Sequence, residues 1–271
     1  MIDHCSVHGI KISYEIRGEG EPLVLLMGLG APGSKWEPHI QAYERHFQTI
    51  AIDNRGSGRS DRPRADIYTI EDMAKDAIGV MDHLGIESAH FNGISMGGAI
   101  AQHVAIHYPQ RVRSLILTNT LPYCSVSFRR AIELLRDANG VLDRAHFTRL
   151  LQWIIYASEY QQHNEHALLE AEKADAEYEF PMPSYAFNAQ CNGLLQHNAL
   201  QDLQKIHAPV LVAAGDADLF IPPWHTMEMM DALPNAEIYM CKGGGHVQHW
   251  EQPEAYNRVT LDFLLKNRTL T

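Results

Sequence analysis

The chain has 271 residues, 45% hydrophobic and 20% charged, a balance ordinary for a soluble globular enzyme or binding protein and long enough to bury a proper core. A formal net charge of −11 at pH 7 argues against nucleic acid or an anionic membrane surface as partner. The densest basic cluster, RGSGRSDRPR at 55–64, is flanked or interrupted by aspartates.

The opening MIDHCSVHGI lacks the basic region and long apolar run of a targeting segment. PLVLLMGLGA is apolar but only about half the length of a membrane span. Cys5, Cys124, Cys191 and Cys241 are far apart with no CxxC pair, so buried free thiols and a cytoplasmic location are expected.

In chain order, IKISYEIRG alternates apolar and polar residues and predicts one strand of an antiparallel hairpin. PLVLLM and FQTIAID are continuous apolar runs, suited to strands covered on both faces of a mostly parallel sheet. TIEDMAKDAIGVMDHLG predicts an amphipathic helix with Ile70, Met73, Ala74, Ala77, Ile78, Met81 and Leu84 on one face and a capping-box-like start at Thr69 and Asp72. SAHFNGI then reads as strand, the segment after Ser95 as helix, and VRSLILTNT as strand. This alternation implies a right-handed, doubly wound α/β sheet.

Between 121 and 208 the rhythm breaks. FRRAIELLRDA, HFTRLLQWIIYASEY and EHALLEAEKADAEY are helical patterns without a convincing strand. Strand rhythm resumes at APVLVAAGDAD, continues through AEIYMC, and closes with the helix PEAYNRVTLDFLLKN. The expected organisation is therefore a core of 1–120 and 209–271, with 121–208 inserted after the sixth strand as a helical lid.

Sites in open parallel sheets lie at the carboxyl ends of strands. Those ends carry Gly28-Leu29-Gly30, Asn54-Arg55-Gly56-Ser57-Gly58, Ser95, Asp216 with Asp218, and Gly243-Gly244-Gly245-His246. A serine, two candidate carboxylates and an imidazole thus fall on one rim. Ser95 stands in GISMG, where a strand must become a helix within one residue and flanking glycines relieve the crowding. The alternative for Ser95 is a simple helix cap.

GISMG, DNRGSGRSD, GDAD and GGGHVQHWEQPE together resemble the α/β-hydrolase superfamily, in particular its lid-bearing esterases and enol-lactonase-like members. That resemblance implies an α/β fold with a doubly wound, mostly parallel eight-stranded sheet and helices on both faces. It implies a catalytic triad of Ser95, Asp218 and His246, with Asp216 the rival acid and its own expected role in turn bonding. It implies an oxyanion hole from the backbone N–H groups of Leu29 and Met96. Met27 stands where the family commonly has histidine before the glycine.

Other features carry structural expectations. Asp53 and NRGSGRS should shape a turn; Met27 and Trp250 should be side-chain packing, and His249 a spare imidazole. His103 and His107, four apart on one helix, lack a third ligand in sequence, so no metal is expected. Phe128, Trp153, Tyr156, Tyr160, Tyr178, Phe180, Tyr185 and Phe187 should mostly form the lid's interior, two or three of them lining a pocket.

The expected activity is hydrolysis of a small-molecule carboxylic ester or lactone without a cofactor, through an acyl-enzyme. Alternatives on the same scaffold are carbon–carbon bond hydrolysis of diketone ring-cleavage products, a proline-peptidase-like activity, or a non-catalytic small-molecule receptor.

Overall fold

The computed structural model describes residues 1–268. β1 (Ile2–Val7) and β2 (Ile10–Arg17) form the antiparallel hairpin, turning through His8 and Gly9, both at positive φ (49° and 82°). Paired left-handed residues make a two-residue turn whose twist matches that of the strands.

The parallel part follows as β3 (Glu21–Leu26), α1 (Glu37–Tyr43), β4 (Phe47–Ile52), α2 (Ile70–His83), β5 (Ala89–Ile94), α3 (Met96–His107) and β6 (Val112–Thr118). After the inserted helices come β7 (Val210–Gly215), α9 (Trp224–Ala232), β8 (Ala236–Cys241), α10 (Gln248–Glu251) and α11 (Pro253–Lys266). The sheet has eight strands in the order β1-β2-β4-β3-β5-β6-β7-β8, parallel from β4 through β8.

Strand periodicity sorts the core into two layers. Leu23 and Leu25 point to one face, against Ile40 and Tyr43 of α1 and Phe263 and Leu264 of α11. Val24 and Leu26 point to the other, where Met73 and Ala77 of α2 and Ile100 of α3 lie. Every residue of β5 and β7 is buried, as expected of strands covered on both faces; β5 does so while carrying His90 and Asn92, whose side chains meet Ser114 Oγ at 2.7 Å and the Tyr256 hydroxyl at 3.1 Å.

On α2 the Thr69 hydroxyl accepts the Asp72 N–H at 3.0 Å. The expected apolar face is buried except at Leu84, which caps the helix end and is only partly covered; Asp76 is buried as well. Its burial is explained by Arg55, which reaches across at 2.6 and 2.8 Å to the two carboxylate oxygens.

Between β6 and β7 lie α4 (Val126–Asn139), α5 (Arg144–Ile155), α6 (Ser158–His163), α7 (Glu165–Ala176) and α8 (Ser184–Leu195). Two details differ from the sequence expectation. HFTRLLQWIIYASEY is not one helix: it breaks into α5 and α6 at Tyr156 and Ala157, both extended (ψ 142°). α8 has no counterpart in the sequence patterns, because Ala186, Phe187, Ala189, Gln190, Cys191, Gly193 and Leu194 leave no exposed stripe wide enough to produce an amphipathic signal. Phe128, Leu135, Phe147, Phe187 and Leu194 from these helices join the core layer of α2 and α3. All four cysteines are free thiols, and among the described residues no helix is long and apolar enough to cross a membrane.

Candidate active site

Ser95 sits at the junction of β5 and α3 with φ 54° and ψ −117°, a conformation that is costly for a residue with a Cβ. Its neighbours show how the corner is held. A Cβ on Gly97 would run into the Leu26 carbonyl, and one on Gly93 into the Gly97 carbonyl. The Ser95 N–H donates to the Thr118 carbonyl at 2.9 Å, and the Thr120 hydroxyl to the Ser95 carbonyl at 2.7 Å. The end of β6 therefore braces the corner from the adjacent strand.

Asp218, in the turn after β7, is buried. Its Oδ1 accepts the N–H groups of Phe220 (2.8 Å) and Ile221 (2.9 Å). Its Oδ2 lies 2.9 Å from His246 Nδ1 and accepts from Asn119 Nδ2 at 2.9 Å. Phe220 stands edge-on to the His246 ring, centroids 5.0 Å apart. Asp216 is turned elsewhere: its Oδ1 accepts the Gly243 N–H at 2.6 Å, a local turn bond.

Ser95 and His246 line one cavity of about 420 Å³, together with Gly28 and Leu29. A Cβ on Gly28 would stand 3.2 Å from the Ser95 Cβ, so the Gly28-Leu29 backbone lies directly against the serine. Met96 is the first residue of α3, and a first-turn N–H has no partner within its own helix. The loop is fixed from outside: the Gly30 N–H donates to Gln190 Oε1 at 2.9 Å, while Gln190 Nε2 donates to the Arg55 carbonyl at 2.8 Å.

Asn119, Gln190 and Glu251 (the last accepting the Gly245 N–H at 2.7 Å) are site-shaping residues that sequence reasoning passed over. Their partners are 99, 160 and 6 positions away. Only Asn119, at φ 44° directly after a strand, stands at a place where a site residue could be sought.

The cavity walls are largely apolar, with Ile94, Phe220 and Val247 from the core and Leu135, Phe147, Leu151 and Ile155 from the inserted helices. Of the aromatics considered, Tyr156, Tyr178, Phe180 and Phe187 line it, Phe128 is buried away from it, and Trp153 is 65% exposed. Phe147, absent from that set, also lines it. Met27 and Trp250 pack with the core layer of α1 and α11, and both also form part of the cavity wall, Met27 from just after β3 and Trp250 from α10. Charged groups at the wall are Lys35 and the Arg144–Asp175 pair at 3.0 Å.

Asp53 accepts N–H groups of Gly33 (2.6 Å) and Arg59 (2.9 Å), tying two loops together. Burial raises its carboxyl pKa above the usual value, against the pull of those donors. His249 is buried at the cavity wall, and desolvation holds its pKa well below that of a free imidazole. His103 lies 5.6 Å from His107 and 5.4 Å from His197, ring to ring. Among the described residues no group of three or more His, Cys, Asp or Glu is arranged to hold a metal ion.

A strained serine at a strand-to-helix corner, lining one cavity with the histidine of a buried histidine–aspartate pair at the carboxyl edge of this sheet, is the arrangement of an α/β hydrolase. A family model described as "alpha/beta hydrolase fold" matches residues 21–253, and the chain belongs to that family. By sequence it is similar to "Putative carbamate hydrolase RutD" of Caulobacter sp. (strain K31): 32% identical over 262 residues, 95% of this chain and 94% of that one. By structure it is similar to the enol-lactonase from Burkholderia xenovorans LB400, with a TM-score of 0.87 at 24% identity over 97% of this chain and 100% of that one. It is also similar to Est816, described as an N-acyl homoserine lactone degrading enzyme, with a TM-score of 0.84 at 27% identity over 96% and 100%. The protein is a hydrolase.

Proposed function

We propose that the protein hydrolyses carboxylic esters or lactones of small molecules through Ser95, His246 and Asp218. The observation that carries this is the 2.9 Å contact between His246 Nδ1 and Asp218 Oδ2 at the wall of the cavity into which the strained Ser95 is held. With Nδ1 given to the carboxylate, Nε2 is the nitrogen left to act as base. It takes the Ser95 proton as Oγ attacks the substrate carbonyl. The tetrahedral oxyanion is held by the Leu29 and Met96 N–H groups. His246 then protonates the departing alcohol, and a water deprotonated by the same ring releases the acid from the acyl-serine. For a lactone the leaving alcohol stays attached to the acyl chain, and the product is a hydroxy acid.

In this scheme α4 through α8 are the lid, which closes an apolar chamber over the serine and keeps bulk water from the oxyanion. Four free thiols fit a reducing compartment, so the cytoplasm is its proposed location. One further substrate has a specific observation in its favour. The relative of Caulobacter is named for carbamate hydrolysis, and a carbamate presents the same attackable carbonyl.

A panel of p-nitrophenyl esters, lactones of graded chain length and a simple carbamate, run beside Ser95→Ala, tests the assignment. Ester or lactone turnover should exceed carbamate turnover and should fall by on the order of 10⁴-fold or more in the variant. Equal rates in parent and variant would refute the role of Ser95, and turnover of the carbamate alone would move the substrate class to carbamates.

A further inference from the structure

Glu251, the last residue of α10, stands between the loop that carries His246 and the break separating α5 from α6. Its Oε2 accepts the Gly245 N–H at 2.7 Å, and its Oε1 accepts the Ala157 N–H at 2.7 Å. On the other side of His246, the Val247 N–H donates to the Ile155 carbonyl at 3.2 Å. The Gly245 carbonyl takes Asn119 Nδ2 at 3.3 Å, the same amide group that holds Asp218. Gly245 itself has no room for a side chain, because a Cβ would press on the Ala157 nitrogen, the Glu251 carboxylate and the Ile155 carbonyl. His246 is thus suspended between two residues whose backbone groups are tied to the inserted helices.

We infer that Glu251 is a positioning residue: by bridging Gly245 and Ala157 it makes the place of the His246 imidazole depend on where the α5–α6 break sits. The inference rests on the hydrolytic role proposed above for His246. Its consequence is that a ligand able to shift the inserted helices also shifts the catalytic ring, so occupancy of the chamber and competence of the base are coupled.

Only a glutamate satisfies the geometry. Two N–H donors arrive on the two oxygens of one side chain, as an ionised carboxylate accepts them. A glutamine has a single acceptor oxygen and would turn its NH₂ against the second N–H. An aspartate, one methylene shorter, cannot keep both contacts without moving the loops. The groups facing His246 are Asp218 from the turn after β7 and Glu251 and His249 from α10; those facing Glu251 include Tyr156, Tyr160 and Cys241.

The test compares the parent protein, S95A, E251Q and E251D on p-nitrophenyl acetate across the acid limb of the rate profile, with hydrogen exchange read at the Gly245 and Ala157 amides. E251Q should lose roughly 10²-fold in kcat with KM little changed, the cost of a ring displaced on the order of 1 Å. Its two amides should exchange faster together. Removing the negative charge beside the ring disfavours the protonated imidazole, so the acid limb moves to lower pH. E251D keeps the charge and the position of the limb but loses rate. A residue that only stabilised the fold would lower the melting temperature and leave kcat and the limb of the folded enzyme where they were. Folded E251Q with parent-like kcat and an unmoved limb overturns the inference. Should E251Q not fold, parent-like kcat and exchange in E251D does so. A parent no faster than S95A instead removes the hydrolytic assignment, and exchange at the two amides still decides whether the clamp exists.

Discussion

Asp218 collects N–H donors from Phe220, Ile221 and Asn119 besides facing His246 Nδ1. Such a carboxylate is oriented before substrate arrives, and in the proposed mechanism it keeps the imidazole in one tautomer. Asp218→Asn should leave the fold intact and lower kcat about 10⁴-fold, as measured by ester turnover, because an amide at that place favours the wrong tautomer. A loss of less than about tenfold would place the acid elsewhere. The position of Ser95 was legible because glycines at 93 and 97 mark a corner that tolerates no side chains. The choice between Asp216 and Asp218 came from resemblance rather than spacing, and the separating fact is three-dimensional: Asp216 bonds Gly243, whereas Asp218 faces the ring. Asn119 left no comparable trace, since an asparagine after a strand is equally consistent with an ordinary turn.

α2 shows how an element depends on a distant loop. Its amphipathic stripe includes a buried carboxylate, and only Arg55, from the turn after β4, makes that tolerable. Burial raises the Asp76 pKa while Arg55 opposes the rise. Arg55→Ala leaves the carboxylate buried alone, a loss of about 3–5 kcal/mol at neutral pH by urea denaturation. The sign with pH follows from linkage. In the variant the folded state binds the Asp76 proton more tightly than the unfolded chain does. Its deficit therefore grows as pH rises above the ordinary carboxylate pKa and shrinks in acid. A deficit equal at neutral and acid pH would contradict this origin. α8 gives the opposite lesson. It is buried nearly all round, with Gly193 pressed on the Tyr68 carbonyl, so it lacks the one-sided pattern by which α2 and α4 are recognised. The break at Tyr156 and Ala157 was equally silent, because neither glycine nor proline marks it; Glu251 and Gly245 hold it from outside.

Across the molecule, several imidazoles are enclosed, His225 with the Glu228 carboxylate 3.6 Å away. Burial pushes His39 and His225 down to about 4 and His197 to about 3, and holds His249 lower than an ordinary histidine. Each is neutral in the fold, whereas the unfolded chain protonates it near 6.5. The stability they allow is complete above about pH 6.5 and drains as pH falls through that value toward 4. At about 1.36 kcal/mol per pKa unit, His39 alone accounts for on the order of 3 kcal/mol by pH 4. Calorimetry should show a melting temperature level near neutrality and falling steeply below about pH 6. His39→Asn should flatten that descent, and a parent whose melting temperature stays level down to about pH 4.5 would contradict the account.

The order of apolar runs and punctuating glycines determined the α/β architecture, the interruption between β6 and β7, and the strand ends at which chemistry could sit, because strand and helix periodicities are local properties of the chain. Tertiary structure alone decided which aspartate faces His246, that Asn119, Gln190 and Glu251 hold the site's loops, and which side chains line the chamber. Those outcomes depend on contacts between residues far apart in the chain or folded into unpatterned turns, and such distances exist only once the sheet has brought its edges together.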